Sequence, residues 1–305
     1  MLMRVSQLFR PPNKQTSVGF AIMFCAVFLF AVADAIAQLI SARYPANEIT
    51  FFRMLFGLLP AAYAFRFRGN FGKKLTMHRF TGHFLRAIMV LGSRVLFFSG
   101  LASLPLSTAM ALQYTDVIFI GLFSVVFLSE RFNLSMAITS IVGFLGVALV
   151  SSSLTGNRAS FLGTTLVLLS AMFSAGSITQ LKKLSRSEDP AEIVLFFTII
   201  ATILSGMSLV VGWVTPNARD FGYMAVLGLT AGAAQLMLTI ALSNNAASQL
   251  ASFRYFGVVW AIAFECLIWG KAISLQAVLG SVVIVGSGLY LCWSSKRIHA
   301  GGATA

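Results

Sequence analysis

"VGFAIMFCAVFLFAVADAIAQLIS" fills residues 18–41, and Asp34 is its single charged side chain. A helix rises about 1.5 Å per residue, so a run of this length spans the roughly 30 Å hydrocarbon core of a bilayer. It is longer than the apolar core of a cleaved leader, and no convincing cleavage site closes it. The residues before it carry Arg4, Arg10 and Lys14 and read as a basic tail over 1–17. Stretches of the same kind recur along the chain. Ten spans are predicted, at about 18–41, 48–66, 83–102, 107–128, 134–152, 161–181, 192–214, 221–242, 247–269 and 273–293.

The composition agrees. Of 305 residues, 58% are hydrophobic and 10% charged, with a mean hydropathy of +0.86. A soluble domain carries about 25% charged residues and could not cover its surface with this supply. Strand alternation is absent, which leaves helices as the way to satisfy the backbone in lipid. The net charge of +13 does not point to nucleic acid, because the basic residues cluster in short loops rather than along a soluble face. Cys25, Cys266 and Cys292 all lie in apolar runs, without disulfide or metal-ligand spacing. No metal and no cofactor is expected.

Lysines and arginines set the orientation. With the N-terminus in the cytoplasm, the inner segments hold 14 of the 22: Arg4, Arg10, Lys14, Arg66, Arg68, Lys73, Lys74, Arg79, Arg131, Lys182, Lys183, Arg186, Lys296 and Arg297. The outer loops hold 4, namely Arg43, Arg158, Arg219 and Lys271. Both termini are therefore expected in the cytoplasm of a bacterial-type inner membrane.

The chain also repeats itself. "ADAIAQL" (33–39) aligns with "AGSITQL" (175–181), "PANEITFF" (45–52) with "PAEIVLFF" (190–197), and "SLPLSTAMALQY" (103–114) with "SNNAASQLASFRY" (243–255), the last two after one gap each. The offset runs from 141 residues (114 to 255) to 145 residues (45 to 190), in constant order. Five spans per half is an odd number, so the second half enters the membrane upside down. The predicted fold is all-α integral membrane, ten transmembrane helices as two inverted five-helix repeats, over 18–153 and 161–294, with a tail at 295–305. Inverted repeats build secondary transporters whose substrate sites lie near the midplane.

Three segments carry a family resemblance: "LPLSTAMALQYTDVIFIGLFSVVFLSERF" (104–132), "QLASFRYFGVVWAIAFECLIWGK" (249–271) and "FFRMLFGLLP" (51–60). The chain resembles, over roughly 18–294, the EamA domains of the drug/metabolite transporter superfamily, with most likeness to carriers of the S-adenosylmethionine-uptake and riboflavin-uptake kind. The resemblance implies a ten-helix carrier. The chain departs from the family pattern where Val117 replaces a frequent proline, Lys271 an acidic residue, and Arg254 a Glu or Gln before Tyr255.

Ionisable groups inside a bilayer cost about 3 kcal/mol each at the centre and mark pairing or function. Seven fall within the spans: Asp34, Arg53, Arg86, Arg94, Asp116, Arg254 and Glu265. Asp34 and Arg53 reach similar depths, so they form a structural pair or Asp34 faces the cavity and binds a cation or proton. Arg86 is expected to snorkel to cytoplasmic headgroups. Arg94 and Asp116 meet near the midplane, as a structural pair or as a polarised site. Arg254 and Glu265 are eleven residues apart and share a helical face with Gly257, Val258 and Ala261. Arg254 corresponds by repeat to Gln113, and Gln235 to Arg94. Arg254 is expected in a watered cavity, with snorkelling or a fixed carboxylate partner as the alternatives.

The expected substrate-binding set is Arg94, Gln113, Tyr114, Asp116, Gln235, Arg254 and Tyr255. Proton-coupling candidates are Asp34, Asp116 and Glu265. Gln38, Gln180, Ser170, Ser174 and Ser177 form polar stripes, and Trp260 packs or stacks on substrate. Glu130 is a local turn residue. His78, His83 and His299 form no catalytic set. The expected function is a secondary transporter moving a small organic metabolite (vitamin, amino-acid-like or nucleoside-like) by alternating access, with an integral-membrane enzyme on a small or lipid-linked substrate as the alternative. Expected partners are the small-molecule substrate and the lipid bilayer, with a homodimer left open.

Overall fold

The computed structural model describes residues 16–67, 79–104, 106–128, 134–152, 161–210, 212–245, 250, 252–270 and scattered positions between 275 and 290. Ten helices are delimited among them: α1 Thr16–Ile40, α2 Ala46–Phe67, α3 Phe80–Leu101, α4 Leu106–Gln113, α5 Asp116–Leu128, α6 Leu134–Ser152, α7 Phe161–Leu184, α8 Pro190–Met207, α9 Ala218–Asn244 and α10 Phe256–Trp269. The described positions from 275 to 290 are also helical, and no described residue lies in a strand. Segments of α1, α2, α3, α7, α8 and α9 are each long and apolar enough to cross a membrane unaided. The chain is an all-α integral membrane protein, with ten spans in two five-span halves.

Ten delimited helices do not map one to one onto those spans. The fourth, expected over 107–128, is broken: α4 stops at Gln113, Tyr114 and Thr115 form a turn, and α5 starts at Asp116. The ninth, expected over 247–269, enters through a 3₁₀ turn, Ser252–Tyr255, before α10 begins. Arg254 therefore lies on the tighter turn and not on the α-helix that carries Glu265. The stripe Gly257, Val258, Ala261 and Glu265 is buried on α10 as its spacing requires. The seventh span ends early, at Met207 rather than 214, because a 3₁₀ turn and Gly212 at φ 82° lead the chain away.

Local chemistry fixes the other ends. The Asp189 carboxylate accepts from the Ala191 amide ahead of Pro190, and the Asn217 side chain accepts from the Asp220 amide at 2.8 Å. Gly270 closes α10 in the left-handed conformation, at φ 63°. Leu122, Val126, Leu145, Ile203 and Leu267 are exposed on the outside of the bundle. In water such a surface would drive association; in lipid it is the solvent-facing side.

Inside, helices approach through glycine. Gly228 and Gly232 stand four apart on one face of α9, the small-xxx-small spacing that lets membrane helices touch backbone to backbone. A Cβ on Gly232 would lie 2.7 Å from the Gly57 carbonyl oxygen of α2 and 2.8 Å from its Cα. Gly222, on the same helix, has open space around it. Gly232→Leu is expected to destabilise the protein by about 1–3 kcal/mol or more, through overpacking against backbone that cannot yield. Gly222→Ala is expected to be neutral or to stabilise by about 0.5–1 kcal/mol. Thermal unfolding of the purified variants in detergent measures both.

Candidate functional site

A cavity with an empty volume of about 700 Å³, its open side included, lies between the two halves. Helices α1, α3, α4, α7 and α9 and the 3₁₀ turn before α10 wall it. Six of the sequence candidates line it: Asp34, Arg94, Gln113, Tyr114, Gln235 and Arg254. Asp116, Tyr255 and Glu265 are buried but stand behind this wall.

The charge pairing differs from the expected one. Asp116 does not pair with Arg94. Arg254 reaches it across the two chain breaks, with Nη2 at 2.6 Å from Oδ2 and Nε at 3.3 Å from Oδ1. The Ser174 hydroxyl donates to the same Oδ2 at 2.7 Å. The fixed-carboxylate alternative for Arg254 thus holds, while the guanidinium still forms cavity wall. Its position is possible because the helices are interrupted there: the turn at Tyr114–Thr115 puts Asp116 at the N-terminus of α5, where the free amides favour an anion.

Tyrosines and glycines fit around this pair. Arg254 lies over the Tyr114 ring at 5.7 Å, and Tyr114 meets Tyr255 edge-on with centroids 6.4 Å apart. A Cβ on Gly257 would collide with the Tyr114 hydroxyl, and one on Gly143 of α6 would lie 2.5 Å from the Tyr255 ring. Both sites need glycine for this close approach. Trp260 packs at 4.7 Å from Phe28.

Arg94 instead faces Asp34. Its Nη1 is 3.8 Å from Oδ1, while Arg53 Nη1 hydrogen-bonds the same oxygen at 3.1 Å. The Asp34–Arg53 pair exists and Asp34 also lines the cavity, so the two readings of Asp34 are compatible. The Phe30 ring lies 5.7 Å from the Arg53 and 5.9 Å from the Arg94 guanidinium carbon. A second, smaller pocket shares Arg94 and Gln235 with the cavity and is also lined by Arg53 and Thr198. The Gln113 side-chain oxygen receives the Ser170 hydroxyl at 2.6 Å. That hydroxyl is also 2.7 Å from the Ser93 carbonyl.

Arg86 is the residue that sequence reasoning misplaced. It does not snorkel: it is 1% exposed, lies 4.0 Å over the Phe197 ring, and lines the cavity. Phe197 of α8 covers its guanidinium. The missed signal is spacing, since Arg86, Val90, Ser93 and Arg94 share one face of α3 and all line the cavity. Nearby, His83 Nε2 stands 2.7 Å from Glu188. Glu130, His78 and His299 lie outside the described residues.

Polar contacts also join the halves at the outer end assigned by the loop charges. Asp220 accepts from Tyr44 at 2.9 Å and from Asn217 at 2.9 Å, and it pairs with Arg43 at 3.0 Å. Burial and the hydrogen bond to Asp220 push the Tyr44 hydroxyl above its ordinary pKa. Glu48 accepts from the Val214 amide at 3.0 Å. At the other end Lys182 donates to the Leu242 and Asn245 carbonyls at 2.6 and 2.5 Å, and Arg186 to Leu128 at 2.7 Å. These cations cap the C-termini of α9 and α5.

The EamA-like transporter family model matches twice, at residues 17–152 and 161–293. The chain is 29% identical over 279 residues to the pseudopaline exporter CntI of Pseudomonas aeruginosa, covering 91% of this chain and 97% of that one. It is 23% identical over 289 residues to an S-adenosylmethionine uptake transporter of Rickettsia bellii, covering 93% and 96%. It is 24% identical over 288 residues to a riboflavin transporter of Rhizobium johnstonii, covering 92% of each. A solved crystal structure at 18% identity superposes with a TM-score of 0.77 over 92% of this chain and 99% of its own, a likeness of fold.

Breaking the central pair separates the two possible partners of Asp116. Asp116→Asn is expected to lose about 3–5 kcal/mol, because it leaves the Arg254 charge buried and half-compensated. Adding Arg254→Gln should recover a large part of that loss, while adding Arg94→Gln should recover none. Denaturant unfolding of the single and double variants in detergent reads the coupling.

Proposed function

The chain belongs to the EamA-like transporter family, and we propose that it is a secondary carrier moving a small organic metabolite across the cytoplasmic membrane by alternating access. The observation that carries this reading is the meeting of two interrupted spans, one from each half, at the Asp116–Arg254 pair beside a polar cavity. Broken helices at the interface of inverted repeats are where secondary transporters hold substrate. The units that rock are 18–153 and 161–294. The outer contacts of Tyr44, Arg43 and Asn47 with Asp220 and Ser208 would then be made in one state and broken in the other.

The names of the relatives support a substrate of metabolite size, in the vitamin, amino-acid-like or nucleoside-like range. Substrate contacts come from Arg94, Gln113, Tyr114, Gln235 and Arg254, with Asp116 and Tyr255 holding Arg254 and Tyr114 in place. Asp34 is the favoured proton-coupling carboxylate, because it lines the cavity. Glu265 and Asp116 stand off the cavity, which weakens both as alternatives.

Reconstituted protein loaded with an unlabelled solute found by thermal-shift screening should drive saturable counterflow of the labelled solute, recovered chemically unchanged. Recovery of an altered product would favour the enzyme reading, and unsaturable flux without exchange a channel. Both termini are proposed to be cytoplasmic. A cysteine at position 157, in a cysteine-free background, should react with an impermeant maleimide from outside only.

A further inference from the structure

The cavity wall carries more positive than negative charge, and the excess sits on one helix. Arg254 is matched by Asp116, and Arg53 by Asp34. Two arginines remain. Arg94 stands 3.8 Å from Asp34, beyond hydrogen-bond reach of an oxygen already taken by Arg53. Arg86 is buried to 1% exposure, and its Nε and Nη1 find no hydrogen-bond partner among the described residues. Its one close compensation is the Phe197 face at 4.0 Å. Glu188 hydrogen-bonds His83, one turn before Arg86 on α3, through Oε2, and its buried Oε1 has no hydrogen-bond partner among the described residues. An arginine cannot discard its proton to escape such a site. A buried guanidinium with idle donors, lining a cavity, is half of an ion pair whose other half comes from the ligand.

Arg86 and Arg94 are two helical turns apart, so the charges are separated by about 12 Å along α3 before the side chains lean inward. The carboxylate of the wall, Asp34, faces two arginines, and Asp116 behind it accepts from Arg254 twice and from Ser174, so neither is open to a cation. We propose, resting on the carrier reading above, that the solute is an elongated dianion, one acid group held by Arg86 and the other by Arg94, with its middle inside the cavity that both arginines line. A compact monoanion satisfies one arginine and leaves the other idle. A cationic solute meets uncompensated positive charge at both ends.

The test uses purified full-length protein in detergent, in a buffer free of carboxylate and phosphate, with simple chemical probes. Succinate, adipate and suberate should raise the apparent melting temperature progressively with length. Hexanoate should raise it less than adipate, and diaminooctane should not raise it. In Arg86→Gln or Arg94→Gln, suberate should bind at least about tenfold more weakly, the loss of one charge-assisted contact, with hexanoate affected less. Arg86→Lys should keep most of the affinity. Arg86→Gln removes an unmatched buried charge, so it should express and unfold at or above the parent's temperature; if it does not fold, the length series on the parent decides. Stabilisation by diaminooctane, absence of any dicarboxylate effect, or equal suberate binding in the parent and Arg86→Gln each overturns the proposal. A solute without acid groups that undergoes counterflow overturns the dianion and leaves the carrier. A dianion that binds through Arg86 but never exchanges leaves the site and removes the carrier.

Discussion

Everything around the cavity is arranged so that Asp116 and Arg254 can touch. A carboxylate and a guanidinium 2.6 Å apart inside a bilayer tolerate each other's presence and nothing less, since removing either leaves a charge in a medium that will not solvate it. Each sits where its span is interrupted, and the interruptions bring polar backbone to the same place. Ser174 and the Tyr114 ring complete the enclosure. The pair joins the first half of the chain to the second, so one contact answers both for the stability of the interior and for the alignment of the repeats.

The physics of spanning made the architecture legible from composition and run length alone. Long apolar runs have one stable form in lipid, and the repeat from "ADAIAQL" to "AGSITQL" was readable because each stretch lies in a spanning helix, α1 and α7. The seven intramembrane charges could be named individually for the same reason. Their partners could not. Depth along a straight helix assigned Asp116 to Arg94, but the chain is not straight at Tyr114 or at Arg254, and the break turns Asp116 towards the other repeat. Residue counting carries no information about a turn that tertiary contacts impose.

Arg86 failed differently. Three residues into its span, it had the length to reach headgroups, and snorkelling was the cheapest account. Phe197, from the eighth helix, covers it instead. Neighbours distant in sequence decide such a case, and only the common face with Val90, Ser93 and Arg94 hinted at it. The spacing of Gly228 and Gly232 passed unread in the sequence, and their partner Gly57 became known only with the fold. Glycine positions beside Tyr114 and Tyr255 likewise make sense only once the rings are in place.

The crossing of α2 over α9 has a mechanical consequence. Gly57 and Gly232 meet without side chains, so at this point no rotamer must be reset when one helix moves, while Phe52 and Phe56 of α2 interlock with Phe221 of α9 near its N-terminus. Interlocked leucines resist sliding like the teeth of a gear; bare backbone resists it far less. The crossing joins a helix of the first half to a helix of the second beside Arg94 and Gln235, and relative movement of the two helices would meet the least side-chain resistance at that point.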